Sequence, residues 1–77
     1  MHEPDDDAWL YEHSRVLGDR IRAARIHRNL TQERLYLGAG ISRDVLQRIE
    51  SGRHNPTYFT LLRIARVLDV PVADLLR

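Results

Sequence analysis

Leu17, Ile21 and Ala24 recur at intervals of four and three residues, and Leu10 falls seven positions before the first of them. That spacing marks one face of an α-helix. Arg20, Arg22, Arg25 and Arg28 lie mostly off the stripe, so the pattern predicts a helix over 15–28 with a polar, solvated outer surface. Ser14 is a candidate cap for a start there. A start near Asp7 is the alternative, and the favoured one. It runs Trp9, His13 and Val16 beside the stripe and places Gly18 inside the helix, at a cost of about 1 kcal/mol relative to alanine.

The remaining elements are shorter. Thr31 is a good N-cap, because its hydroxyl can accept from amides of the first helical turn. It opens a second helix that runs to about Gly38, with Leu35 and Ala39 inward and Glu33 near the positive end of the dipole. Gly40 ends the connection, and Ser42 caps a third helix over 42–51 with Val45, Leu46 and Ile49 inside. Gly52 closes it as a left-handed residue. Pro56 disfavours helix at Asn55, so "RHNP" is a loop. Thr57 caps a fourth helix whose inner face is Tyr58, Leu61, Leu62, Ala65 and Leu68. Pro71 suits the start of a fifth, Val72 to Leu76. Strand-type alternation does not occur. The fold class expected is therefore all-α, with five helices. Two of them, 31–38 and 42–51, are joined so tightly that the chain must turn sharply, which is a helix-turn-helix arrangement.

A length of 77 residues allows one small domain that is marginally stable by itself. With no cysteine, helix packing must supply the stability, helped by any self-association. No apolar run has the length of a membrane span, and no basic-then-apolar leader opens the chain. A soluble cytoplasmic protein is expected. The charge is uneven. Residues 1–14 hold five acids and no Lys or Arg, whereas 15–77 hold all twelve arginines against six acids, a formal +6. The first stretch reads as an acidic extension, either a tail or the continuation of helix one. The second, 15–77, is a basic domain that suits an anionic partner.

The ordered landmarks are "LTQE", "AGIS", "RIESG", "NPT" and "LLRIARVLDV". Together they resemble the XRE-type, lambda-repressor-like helix-turn-helix family over roughly residues 16–77. Tyr36 departs from the family, which usually has alanine there between helices two and three, and Gly38 in the same helix is also unusual. Tyr36 must swing outward or the two helices must adjust.

The resemblance implies that helix three lies in the DNA major groove, and the residue types agree. Arg43 can donate two parallel bonds to guanine, Gln47 can pair bidentately with adenine, and Asp44 can accept from cytosine. Asp44 has a second reading, as a first-turn residue favouring the helix dipole and paired with Arg48 four residues on. Gln32 and Ser42 match family positions that meet phosphates. Arg53, His54 and Asn55 follow the recognition helix and could grip the backbone beyond it, and Arg48 could reach a base or a phosphate.

The expectation is a sequence-specific regulator of transcription on double-stranded DNA, a repressor acting by occlusion as a homodimer. Alternatives are an antitoxin or restriction–modification controller that regulates its own operon, or a module that docks protein. Val70, Val72, Leu75 and Leu76 are more apolar residues than a terminal short helix can bury, so they are candidates for the dimer interface, with Trp9, Leu10 and Tyr11 as a second apolar group. The four histidines lack ligand spacing, and "DDD" at 5–7 reads as a solvated acidic stretch. No metal, cofactor or small-molecule effector is expected, and no catalytic constellation is visible.

Overall fold

The computed structural model describes residues 7–77. His2 and the first two aspartates of "DDD" lie outside the described residues. Five helices follow in order: α1 (Ala8–His27), α2 (Gln32–Ala39), α3 (Arg43–Glu50), α4 (Tyr58–Leu68) and α5 (Val72–Leu76). No described residue is in a strand.

Three short helices begin on hydroxyl caps read from the sequence. Thr31, Ser42 and Thr57 accept from the amides of Arg34, Val45 and Thr60 at 3.0, 3.1 and 3.1 Å. Each bond satisfies one of the exposed amides of a first turn. Gly40, at φ 69°, makes the turn between α2 and α3. It lets the Ile41 amide reach back to the Tyr36 carbonyl at 3.0 Å before Ser42 opens the next helix. Asn29 and Asp69 take the same left-handed conformation after α1 and α4, a role that short polar side chains tolerate.

Ile21, Leu35, Leu46, Ile49, Ile64 and Leu68 are fully buried and form the centre of one core with Ala39, Leu61, Ala65 and Leu75. α2 packs on α4, α1 on α3, and α5 against both α1 and α4. The inner face of α4 differs from the expected one. Tyr58 and Leu62 are exposed, while Ile64 is buried. Positions 61, 64, 65 and 68 give the i, i+3, i+4, i+7 stripe that faces the core, and 58 and 62 fall on its edge. Tyr36 is half-buried and packs against the core. Gly38 gives close room to the neighbouring helix: a Cβ there would lie 3.1 Å from Val67 Cγ2.

Gly18 is a contact, not a defect. A Cβ there would sit 2.3 Å from the carbonyl oxygen of Ile49 and 2.8 Å from that of Glu50. The backbones of α1 and the end of α3 touch at this point. Just beyond, Gly52 turns the chain at φ 77°, where a Cβ would come within 2.9 Å of Arg15 Cα. Two glycines, one from each side, thus seat the end of α3 against α1.

Candidate nucleic-acid interface

α3 has two chemically distinct faces. Leu46, Ile49 and Glu50 are buried and Val45 is half-buried, whereas Arg43, Asp44, Gln47 and Arg48 are exposed. The exposed four repeat at i, i+1, i+4 and i+5, so they share one side of an eight-residue helix about 12 Å long. Core packing on the opposite side fixes which way they point.

The charges on this side are sparsely paired. Asp44 lies 3.6 Å from Arg48, four residues on, with both side chains exposed. Asp44 is also the acidic residue of the first turn, where it favours the dipole. An exposed pair of this kind contributes only a few tenths of a kcal/mol, so Arg48 can be drawn to a stronger partner. Arg43 and Arg53 have no ion-pair partner among the described residues. Their guanidinium groups are free to meet an external anion or base edge.

The flanking candidates fall into place around α3. Ser42 spends its hydroxyl on the Val45 amide, which leaves other first-turn amides of α3 pointing outward at the positive end of the dipole. Arg53 and Asn55 are exposed in the loop after α3, and His54 is half-buried beside the buried Pro56. Gln32 is half-buried, and its Nε2 donates to Glu50 Oε1 at 3.1 Å.

That bond leads to a feature the sequence reading did not single out. Glu50 is a buried acid. Arg25 grips it from α1, with Nε to Oε2 at 2.8 Å and Nη2 to Oε1 at 3.2 Å. The remaining Arg25 nitrogen donates to the Leu30 carbonyl at 3.0 Å. Arg25 is thus no part of a solvated face. Its position beside Ala24, on the flank of the α1 stripe, carries it toward α3. The signal was available: Glu50 stands four residues after Leu46 and one after Ile49, so it occupies a core position of α3. Arg20 also departs from the solvated reading, since its Nη1 is buried without a hydrogen-bond partner.

The expected dimer residues are mostly taken up by the monomer. Leu75 is 2% exposed in the core, and Val70 and Val72 are half-buried against it. α5 packs between α1 and α4, which gives those side chains an internal destination. Leu76 alone of the four stays open, at 53%.

Among the described residues no helix is long and apolar enough to cross a membrane, and no group of three His, Cys, Asp or Glu could hold a metal ion.

The sharp α2–α3 turn and the polar outer face of α3 define a helix-turn-helix unit. A helix-turn-helix family model matches residues 21–75, and the chain belongs to this XRE-type family of DNA-binding transcriptional regulators. The immunity repressor protein of Bacillus phage phi105 is 41% identical over 58 residues. That alignment takes in 75% of this chain and 40% of the repressor, so the chain spans well under half the length of that relative. Control protein C.SmaI of Serratia marcescens is 32% identical over 73 residues, 95% of this chain and 87% of C.SmaI. Among solved structures, the restriction-modification controller protein C.AhdI from Aeromonas hydrophila is similar with a TM-score of 0.78 and 29% identity. The similarity covers 80% of this chain and 94% of that one.

Proposed function

We propose that the protein recognises a specific double-stranded DNA sequence as a homodimer, with α3 in the major groove, and represses transcription by occluding the site. The observation that carries this reading is the outer face of α3. It presents Arg43 and Gln47, two side chains built for bidentate bonding, on a helix whose other face is locked in the core. In this reading Arg43 donates to guanine O6 and N7, and Gln47 pairs with adenine. Ser42 and the first-turn amides of α3 meet one phosphate, and Arg53 with Asn55 grips the backbone past the other end of the helix. Gln32 meets a phosphate from the start of α2, held in place by Glu50. One helix reads only a few base pairs, so two-fold pairing is needed, with half-sites about 34–36 Å apart.

A second reading shares the chemistry and differs in the target. Similarity to C.SmaI over nearly the whole chain, and to C.AhdI in fold, favours a controller acting at its own operon.

Selection from a random duplex pool tests the proposal. The expected product is a palindromic motif with half-sites one helical turn apart, bound with a log K that falls linearly with log salt by several units. No binding at low salt, or binding indifferent to salt, contradicts it. Capture of genomic fragments then separates the two targets: a controller enriches the promoter ahead of its own gene.

A further inference from the structure

Three arginines gather at the C-terminal end of α3. The Gly52 turn closes the helix there. The Gly52 amide donates to the Ile49 carbonyl at 3.0 Å, and the Arg53 amide to the Arg48 carbonyl at 2.8 Å. These bonds satisfy carbonyls of the last turn and fix the backbone of Arg53 just beyond it. α1 crosses the same point. A Cβ on Gly52 would lie 2.7 Å from Arg15 Cγ and 2.9 Å from Arg15 Cα, so the stem of Arg15 runs against the turn that positions Arg53. Ser14 and Asn55 then line one groove, so helix and loop stay side by side past this contact.

The positive charge at this end is only loosely matched. Residues 51–55 include no acid, and Glu50 is buried and held by Arg25 and Gln32. Arg53 has no ion-pair partner among the described residues. Arg48 lies 3.6 Å from Asp44, and Arg15 pairs with Glu12, three residues before it. Both pairs are exposed, with the Arg15 side chain at 65% and that of Glu12 at 66%, and exposed pairs are weakly held. Cations set close together with such partners suit a row of phosphates.

We infer that Arg15 is a further contact to the DNA backbone, made from α1 beside Arg53 and ahead of the matched family region, 21–75. In the free protein Glu12 holds the guanidinium. On DNA a phosphate takes the place of Glu12, because several phosphates lie within reach of one field and a single exposed carboxylate is a weak competitor. Arg15 adds affinity without sequence preference, and Glu12 subtracts from it on every sequence. This inference rests on the DNA reading above and extends its contact surface from the loop to α1. A purely structural role has a different signature. A cation beside the end of α3 favours the helix dipole, which changes folding stability and leaves the salt dependence of binding alone.

Salt titrations of duplex binding test the contact, with the selected site and an unrelated duplex of equal length as probes. Arg15→Ala should weaken both several-fold and flatten log K against log salt by about one for each arginine removed from the complex. Arg15→Lys should keep the original slope. Arg28→Ala, at the far end of α1 where Arg28 meets Asp69, should leave the slope unchanged. Glu12→Gln should tighten both duplexes by more than Asp74→Asn, which removes the same charge from the pair with Arg77. If Arg53→Ala flattens the slope and Arg15→Ala does not, the α1 contact is overturned and the DNA reading stands. If neither flattens it, or the unmodified protein binds no duplex, the loop contact falls as well. Equal effects of Arg15→Ala and Arg28→Ala, or of Glu12→Gln and Asp74→Asn, would mean that net charge alone is at work, and they too overturn the contact. Arg15→Lys and Glu12→Gln keep the test decisive if the alanine variant folds poorly.

Discussion

Arg25 on α1 and Glu50 at the end of α3 form a two-pronged ion pair inside the protein, at 2.8 and 3.2 Å, with side-chain exposures of 13% and 4%. Because Glu50 also accepts from Gln32 at the start of α2, one carboxylate ties three helices together. Removing a single partner strands the other charge in the interior, which typically costs about 3–5 kcal/mol. For a domain of this size that is a large share of the folding free energy. Arg25→Ala should therefore unfold at a much lower temperature than the original protein, as followed by circular dichroism. The joint replacement Arg25→Met with Glu50→Leu should recover the lost stability, because a well-packed apolar pair carries no desolvation penalty. Equal losses from the single and the joint replacement would show that the pair is not a coupled unit.

Gly18 offers a prediction whose sign is reversed by packing. Helix propensity alone makes Gly18→Ala stabilising by about 1 kcal/mol. The methyl group would meet the Ile49 carbonyl at 2.3 Å, and backbone cannot yield cheaply. The thermal midpoint should fall, not rise. A higher midpoint would mean that α1 and α3 are not in backbone contact.

Ser42 joins stability to the proposed site, since it caps α3. Ser42→Ala should lower the unfolding free energy by about 1 kcal/mol in urea, and it should weaken DNA binding by a similar factor on every sequence. Ser42→Asp should keep the cap and so retain the stability, yet repel the phosphate proposed beside it. Unchanged DNA affinity in the aspartate variant would remove Ser42 from the phosphate contacts.

Much of this architecture was legible because it is local. Hydroxyl caps at Thr31, Ser42 and Thr57, the break at Gly40 and the left-handed Gly52 act through neighbours a few residues away, so their residue types announce them. The exposed face of α3 was legible for the same reason, being the complement of Leu46 and Ile49. What depended on distant partners was not. Arg25 looks like any surface arginine until Glu50, twenty-five residues on, is known to be buried. Gly18 looks like a weak point until α3 is placed against it. The α4 face was misjudged at Tyr58 and Leu62 because both are apolar and near the right phase, and only the packing of α2 on α4 selects between adjacent stripes. At the C-terminus, counting apolar residues overstated the free surface, since α1 and α4 together bury Leu75.

The central claim is that α3 reads bases while the loop after it holds the backbone. Affinities of Arg43→Ala and Arg53→Ala, measured against the selected site and every single-base-pair change in it, test that claim most directly. Arg43→Ala should lose about 1–3 kcal/mol on the preferred site and lose discrimination at one base pair per half-site. Arg53→Ala should weaken all sequences alike and flatten the salt slope by about one for each arginine removed from the complex. If Arg43→Ala instead weakens every sequence equally and leaves discrimination intact at all positions, α3 is not reading bases through Arg43 and the account fails at its centre.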